Sequence, residues 1–365
     1  MSGIAAIAAG PIFPVLAPES PQAEAIYDLG VRVVLVAAVI FSVMAILIGV
    51  AAVRFRERSG RDATIDFGSH RAEVWWMLGP LLVVFWLAAI SAKLVLTINA
   101  VPAAHPEGDP AEGGDRCDIL VTGHQWWWEV SYPRTDPKGG PAGDSGAAIT
   151  TANEIHIPVG RRLRVRVESA DVIHSFWVPQ LARKIDAIPG RTNHIWLEAN
   201  RPGEYQGFCA EFCGTQHAWM RFRVIAHGES EYRGWLAAMR RPPEPGDGAQ
   251  AALGARLFRS LACIECHALE GTGSTAANGP DLTHLDRRRI LAGGAVVNSP
   301  ANLAAWLRNP GQFKPGSKMP DFKLDDERIA ALIAFIAPGF AEADAAAPPV
   351  GAADGGNSSA GESPR

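Results

Sequence analysis

A chain of 365 residues is too long for one small domain, and 34 lysines and arginines against 38 aspartates and glutamates leave a net charge of only −4. That slight acidity gives no footing for nucleic-acid binding. The five cysteines fall as Cys117 alone, the pair Cys209 and Cys213, and the pair Cys263 and Cys266; histidines beside both pairs point to metal or haem chemistry over a disulfide framework.

The first seventeen residues are apolar and end in Val15-Leu16-Ala17. They read either as a cleaved signal lacking its positive n-region or as a plain N-terminal tail. Val33 to Val53 and Val74 to Ala92 then run without a charge. Each approaches the roughly 20 residues that cross hydrocarbon as a helix. A buried helix of a soluble protein is the bland alternative. Between the spans lie Arg54, Arg56, Arg58, Arg61 and Arg71, which mark a cytoplasmic turn and leave both chain ends outside. Trp75, Trp76 and Trp86 suit interfacial or protein-facing positions, and Pro80 is tolerable in a packed membrane helix.

Ala100 to Gly114 reads as an exit linker. From Asp118 the pattern changes to short apolar runs: Ile119 to Val121, Glu154 to Ile157, Leu163 to Val167, His194 to Leu197 and Met220 to Ala226. Leu163, Val165 and Val167 alternate with Arg164, Arg166 and Glu168, as in a half-buried strand. Many short strands separated by Gly/Pro turns favour a β-sandwich. Lys138 to Ala148 reads as an exposed Gly-rich loop. Arg240 to Gly246, rich in proline, is a stiff linker. Beyond it the period is helical. Asp325-Asp326-Glu327 starts a helix whose apolar face is Ile329, Leu332, Ile333, Phe335 and Ile336. From Ala341 the Ala/Gly/Ser/Pro-rich tail reads as disordered.

The central motif is Cys209-Ala-Glu211-Phe-Cys213-Gly-Thr-Gln-His217-Ala-Trp-Met220, with His174 as the upstream partner. Thiolate, imidazole and thioether form a soft set suited to copper. Two cysteines, two histidines and a methionine exceed the needs of one tetrahedral ion, so two metals sharing two sulfurs is the economical solution. A Cys209–Cys213 disulfide would leave His217 and Met220 unexplained. A single Cys2His2 zinc would leave Met220 idle. His156, His194 and His227 show no partner spacing and read as surface or hydrogen-bonded histidines, and Cys117 as a small buried residue.

Here the chain resembles cytochrome c oxidase subunit II, a cupredoxin sandwich carrying the copper A loop behind a two-helix anchor. The likeness runs from about Tyr27 to Tyr232 and includes Gly123-His124-Gln125-Trp126-Trp127-Trp128, His174-Ser175-Phe176-Trp177-Val178-Pro179 and Asp186-Ala187-Ile188-Pro189-Gly190-Arg191. The resemblance implies that His174, Cys209, Cys213, His217 and Met220 ligate two coppers, with the Glu211 carbonyl completing the shell. It also implies a magnesium ion at the Glu211 carboxylate, where subunit I would dock. Trp126 resembles the indole through which electrons enter, and Glu73 the glutamate at a proton-channel mouth; the bland reading of Glu73 is a snorkelling interfacial charge. Trp127 and Gln180 depart from the family's usual tyrosine and acidic residue.

Cys263-Ile-Glu-Cys266-His267 reads as c-type haem attachment, with His267 as one axial ligand and Met319 as the second. A thioredoxin-like dithiol would need a βαβ setting that this segment lacks. The interval to Met319 and the helix after it resemble class I cytochrome c.

The expected architecture is a tail or signal at 1–26, a transmembrane helix hairpin at 27–99, an all-β cupredoxin sandwich at 115–239, an all-α cytochrome c domain at 247–340 and a disordered tail at 341–365. The implied role is the electron-transfer subunit of a bacterial haem-copper oxidase in the cytoplasmic membrane, with its soluble domains on the periplasmic face. Oxygen chemistry and proton pumping would reside with subunit I. Expected partners are subunit I and other oxidase subunits, a cytochrome c donor and membrane lipid, with no nucleic acid. Rival readings are a copper-delivery protein and nitric oxide reduction with another catalytic subunit.

Overall fold

The structure, a computed structural model, describes residues 13–56, 68–99, 117–133 and 149–340. The signal-or-tail segment up to residue 12, most of the arginine-rich turn, the exit linker, the Gly-rich loop and the C-terminal tail lie outside the described residues.

Two long helices come first, α1 (Pro21–Arg54) and α2 (His70–Asn99). Ser20 caps α1 by accepting a hydrogen bond from Ala23 N at 3.0 Å, and Pro21 supplies a preset φ at the first helical position. Neither apolar window is buried, which sets aside the reading of a soluble core helix. At 34 residues α1 spans about 50 Å, and its first turns carry the charged residues Glu24, Asp28 and Arg32 ahead of the uncharged run. Those turns grip the sandwich: Arg183 N donates to Gln22 Oε1 at 2.9 Å and Asn200 Nδ2 to Glu24 Oε1 at 2.9 Å. Gln180, buried, donates to the Ala17 carbonyl, a neutral job that needs no acidic side chain.

The sandwich contains β1 (Ile119–His124), β2 (Trp127–Tyr132), β3 (Ile149–Ala152), β4 (Glu154–Pro158), β5 (Leu163–Ser169), β6 (His174–Trp177), β7 (Ile185–Ala187), β8 (Asn193–Leu197), β9 (Gly203–Cys209) and β10 (Arg221–His227). One sheet runs β3-β2-β1-β5-β8 and the other β4-β10-β9-β6-β7. The pairs β1–β5 and β4–β10 are parallel; the others are antiparallel. Alternation places Ile119 and Val121, and Leu163, Val165 and Val167, in the core between the sheets. At its centre Trp128 meets Phe176 and Phe222 edge-on, with centroids 5.8 and 5.6 Å away. A helix α3 (Glu229–Met239) closes one end, stacking Trp235 on His156 at 4.1 Å.

After the proline-rich linker come α4 (Gly248–Ser260), the small hairpin β11 (Ile290–Leu291) with β12 (Val296–Val297), α5 (Pro300–Arg308), α6 (Pro310–Phe313) and α7 (Asp326–Ile336). Asp325 caps α7 by accepting from Arg328 N at 2.9 Å, the acidic start expected from the sequence. α4 crosses α7 so closely that a Cβ on Gly254 would sit 2.0 Å from the Ala331 carbonyl oxygen; only glycine fits there. Phe258, Leu303, Leu307, Ile329, Leu332 and Ile336 form this domain's own core.

Candidate metal and haem centres

The Cys209–Met220 segment leaves β9, crosses as a loop and returns into β10. That path brings its ligand-capable atoms to the start of β6, where His174 is fully buried. Cys209 Sγ and Cys213 Sγ are 3.8 Å apart as free thiols, which removes the disulfide alternative. His174 Nδ1 lies 3.9 Å from Cys209 Sγ, and the Glu211 carbonyl 3.2 Å from it. On the other sulfur, His217 Nδ1 lies 3.7 Å and Met220 Sδ 3.8 Å from Cys213 Sγ. His174, Cys209 and Cys213 have donor atoms all within 4.8 Å of one another, a group from which His217 is left out. One tetrahedral ion with bonds of ~2.0–2.3 Å would draw both histidines and both sulfurs within about 4 Å. The donors instead flank the sulfur pair in two groups, which fits two bridged ions better than a single zinc.

The sulfurs behave as one titrating unit. Cys213 shares its proton with Cys209, which pulls the Cys209 thiol down to about 3, with help from His174. The resulting charge pushes Cys213 up. Burial alone would lower the His174 imidazole, but the Cys209 sulfur and Asp171 outweigh it and raise it. Asp171 holds His174 Nε2 at 2.8 Å and so turns Nδ1 toward the sulfurs. Behind the ring, a Cβ on Gly123 would meet His174 Cδ2 at 2.7 Å.

Gln125 Nε2 and Trp126 Nε1 both donate to the Cys213 carbonyl, at 2.8 and 3.0 Å. Trp126 is half-buried, because the C-terminal domain covers it: Lys314 Nζ donates to its carbonyl at 3.2 Å and Lys318 Nζ lies 5.2 Å from its ring centroid. Trp127 stacks on His124 at 4.3 Å, and Trp128 is sandwich core.

In the C-terminal domain one tight turn gathers Cys263, Cys266 and His267, with Cys266 N and His267 N both donating to the Cys263 carbonyl. His267 Nδ1 donates to the Pro280 carbonyl at 2.7 Å; a carbonyl only accepts, so Nε2 keeps its lone pair for a metal. Burial lowers this imidazole and keeps it neutral. A Cβ on Gly279 would strike the ring at 2.6 Å. Met319 comes from the segment before α7 and takes a hydrogen bond from Trp306 Nε1 at 3.2 Å, which orients its sulfur. These residues fit a c-type haem.

Glu73 sits in the first turn of α2, 3.7 Å from His70 Nδ1. His156 and His227 hydrogen-bond one another at 2.8 Å, away from metal-ligating duty, and Cys117 is half-buried rather than buried. The sequence reading missed Asp171, Trp306, Gln216, Lys314 and Lys318. Only Asp171 carried a local signal, three residues before a ligand-type histidine.

Fold and site together define a class: a cupredoxin-type sandwich with a Cys/His/Met metal loop, joined to a cytochrome c module behind two apolar helices. The family model "Cytochrome C oxidase subunit II, periplasmic domain" matches residues 117–227, and the cytochrome c model matches 251–338. Cytochrome c oxidase subunit 2 of Alkalihalophilus pseudofirmus is 35% identical over 325 residues, 88% of this chain and 89% of that one. The Bacillus subtilis subunit 2 is 29% identical over 340 residues, 89% of this chain and 91% of that one. A solved periplasmic domain of cytochrome oxidase subunit II from Bradyrhizobium japonicum is 33% identical, covering 34% of this chain and 94% of that one, with a TM-score of 0.29. The chain belongs to the cytochrome c oxidase subunit II family, in a form that carries a cytochrome c domain, and is a component of a haem-copper oxidase complex.

Proposed function

We propose that the chain is the electron relay of that complex: it accepts electrons from a cytochrome c donor at its haem domain and passes them from its copper loop to haem a of subunit I. There oxygen would be reduced to water, coupled to proton pumping. The observation that carries this reading is the pair of sulfurs 3.8 Å apart, with an imidazole at each and a thioether at Cys213.

His174, Cys209, Cys213, His217, Met220 and the Glu211 carbonyl would hold the copper pair, and Cys263, Cys266, His267 and Met319 the haem. Each bound group supplies a reversible one-electron site. The chain fixes the ligands before they are loaded: Asp171 sets the His174 ring, Pro280 the His267 ring, and Trp306 the Met319 sulfur. Such preset ligation keeps rearrangement small when the charge changes. Burial of both thiols excludes water. Trp126 ties the indole to the copper loop through the Cys213 carbonyl. Val172, Ile173 and Phe212 leave apolar side chains exposed around that loop, as a face covered by another oxidase subunit would.

The proposed layout has the 27–99 hairpin crossing the membrane twice, with the 115–239 and 247–340 domains on the periplasmic side. Glu211 is exposed, and the cofactor reading carries copper and haem alone. Glu73 fits either a snorkelling charge or a proton-entry group. Replacing it with Gln should slow turnover yet leave copper reduction intact; unchanged turnover sinks the second role. Mixing reduced cytochrome c with the purified complex tests the relay. Oxygen uptake, with the haem c oxidised and the copper reduced in turn, is expected. A complex that takes up nitric oxide but no oxygen, or copper that leaves the chain on mixing, contradicts it.

A further inference from the structure

The C-terminal domain docks on the copper loop through a built contact. Gln216, buried within the metal loop, donates through Nε2 to the carbonyls of Lys314 and Pro315, both at 3.1 Å. In return Lys314 Nζ reaches the Trp126 carbonyl. Gly293, in a left-handed conformation at φ +67°, lets the contact close: a Cβ there would sit 3.0 Å from both Lys314 Nζ and the Trp219 carbonyl oxygen. Its own carbonyl accepts from Arg221 N at 3.1 Å.

Lys314 is only 4% exposed, and its ammonium group is held by a neutral carbonyl. A lysine is rarely buried without a carboxylate, since desolvating a lone charge is costly. Burial pushes this one down, and its one-residue bridge to the metal loop is Trp126, whose carbonyl takes the Lys314 ammonium at 3.2 Å and whose Nε1 donates to the Cys213 carbonyl at 3.0 Å.

Resting on the relay reading, we infer that Lys314 is a positioning residue that latches the haem domain onto Gln125–Trp126 and whose positive charge favours the electron on the copper side. One electron leaves the haem side and arrives at the sulfur-bridged pair; no bond is made or broken, and Lys314 keeps its proton throughout. The domain that delivers the electron also brings the charge that stabilises it after delivery. By linkage, reduction of the copper loop tightens the docking by the same factor.

The test is an equilibrium measurement on the assembled, metal- and haem-loaded complex, poised with redox mediators. Haem and copper absorbance are read separately for wild type, Lys314→Gln and Lys314→Arg, and amide exchange at Arg221 reports docking. In Lys314→Gln the partition of a single electron should move about tenfold toward the haem, an order-of-magnitude expectation for losing one buried charge. Lys314→Arg should stay within about twofold of wild type, because the charge is kept. An unmoved partition in Lys314→Gln, whether Arg221 protection is kept or lost, overturns the inference. So does an arginine variant that shifts as far as the glutamine one. Failure of the wild type to exchange an electron between haem and copper would instead sink the relay reading itself.

Discussion

The Asp171 carboxylate holds His174 at Nε2, 2.8 Å away, and leaves Nδ1 facing Cys209 Sγ. Removal of such an outer partner typically weakens metal binding by about 10–100-fold. Asp171→Asn should therefore lower copper affinity by that order while the sandwich stays folded, as read by copper titration alongside circular dichroism. Unchanged affinity would mean that Gly123 and Trp128 alone fix the ring.

Phe222 is fully buried and stacks on Phe176 at 4.6 Å under Trp128, which in turn meets the His174 ring edge-on. Truncating a buried phenylalanine to alanine costs about 3–5 kcal/mol. Phe222→Ala should lose stability of that order in denaturant melts and should loosen His174, with copper lost earlier in the melt than in wild type.

Glu154, at 1% exposure, accepts from Arg289 N at 2.6 Å and Ile290 N at 2.8 Å, a second tie between the sandwich and the haem domain. Hydrogen bonds to a charged group contribute roughly 1.5–3 kcal/mol each. Glu154→Ala should speed amide exchange at Arg289 and Ile290 by at least about tenfold. Equal rates would mean that the Glu154 hydrogen bonds do not hold this part of the docking closed.

Burial lowers both His156 and His227, which bond to one another and face Glu154, Glu204, Glu231 and Arg289. The unfolded chain binds these protons near the ordinary histidine value of 6.5, above the folded values, so unfolding takes up protons below that point. The stability of the sandwich is expected to be full above pH about 6.5 and to fall as the pH drops below it. Melting temperature against pH checks this, and His156→Gln should flatten the slope.

The sandwich was legible where apolar and charged residues alternate, as in Leu163–Val167, and where β-branched runs sit between turns. β2 was hidden because Trp126-Trp127-Trp128 reads as an aromatic cluster, which masks the alternation of Trp128, Val130 and Tyr132 with Glu129 and Ser131 that follows it. β9 was hidden by its glycines and polar residues; Gly207 is there because Phe222 lies 2.3 Å from where its Cβ would be. The metal loop was legible because its donors crowd into twelve residues. The docking of the haem domain was not: Gln216 and Lys314 are 98 residues apart, and nothing local marks a lysine that will be buried. The same holds for His156 and His227, whose partnership spans 71 residues across a parallel strand pair.

Metal analysis joined to electron paramagnetic resonance of the assembled complex bears most directly on the copper loop. Two coppers per chain beyond those of the catalytic subunit are expected, with hyperfine splitting from one unpaired electron shared equally by both nuclei. A single zinc at Cys209 and Cys213, or a pattern from one copper nucleus, would contradict the account.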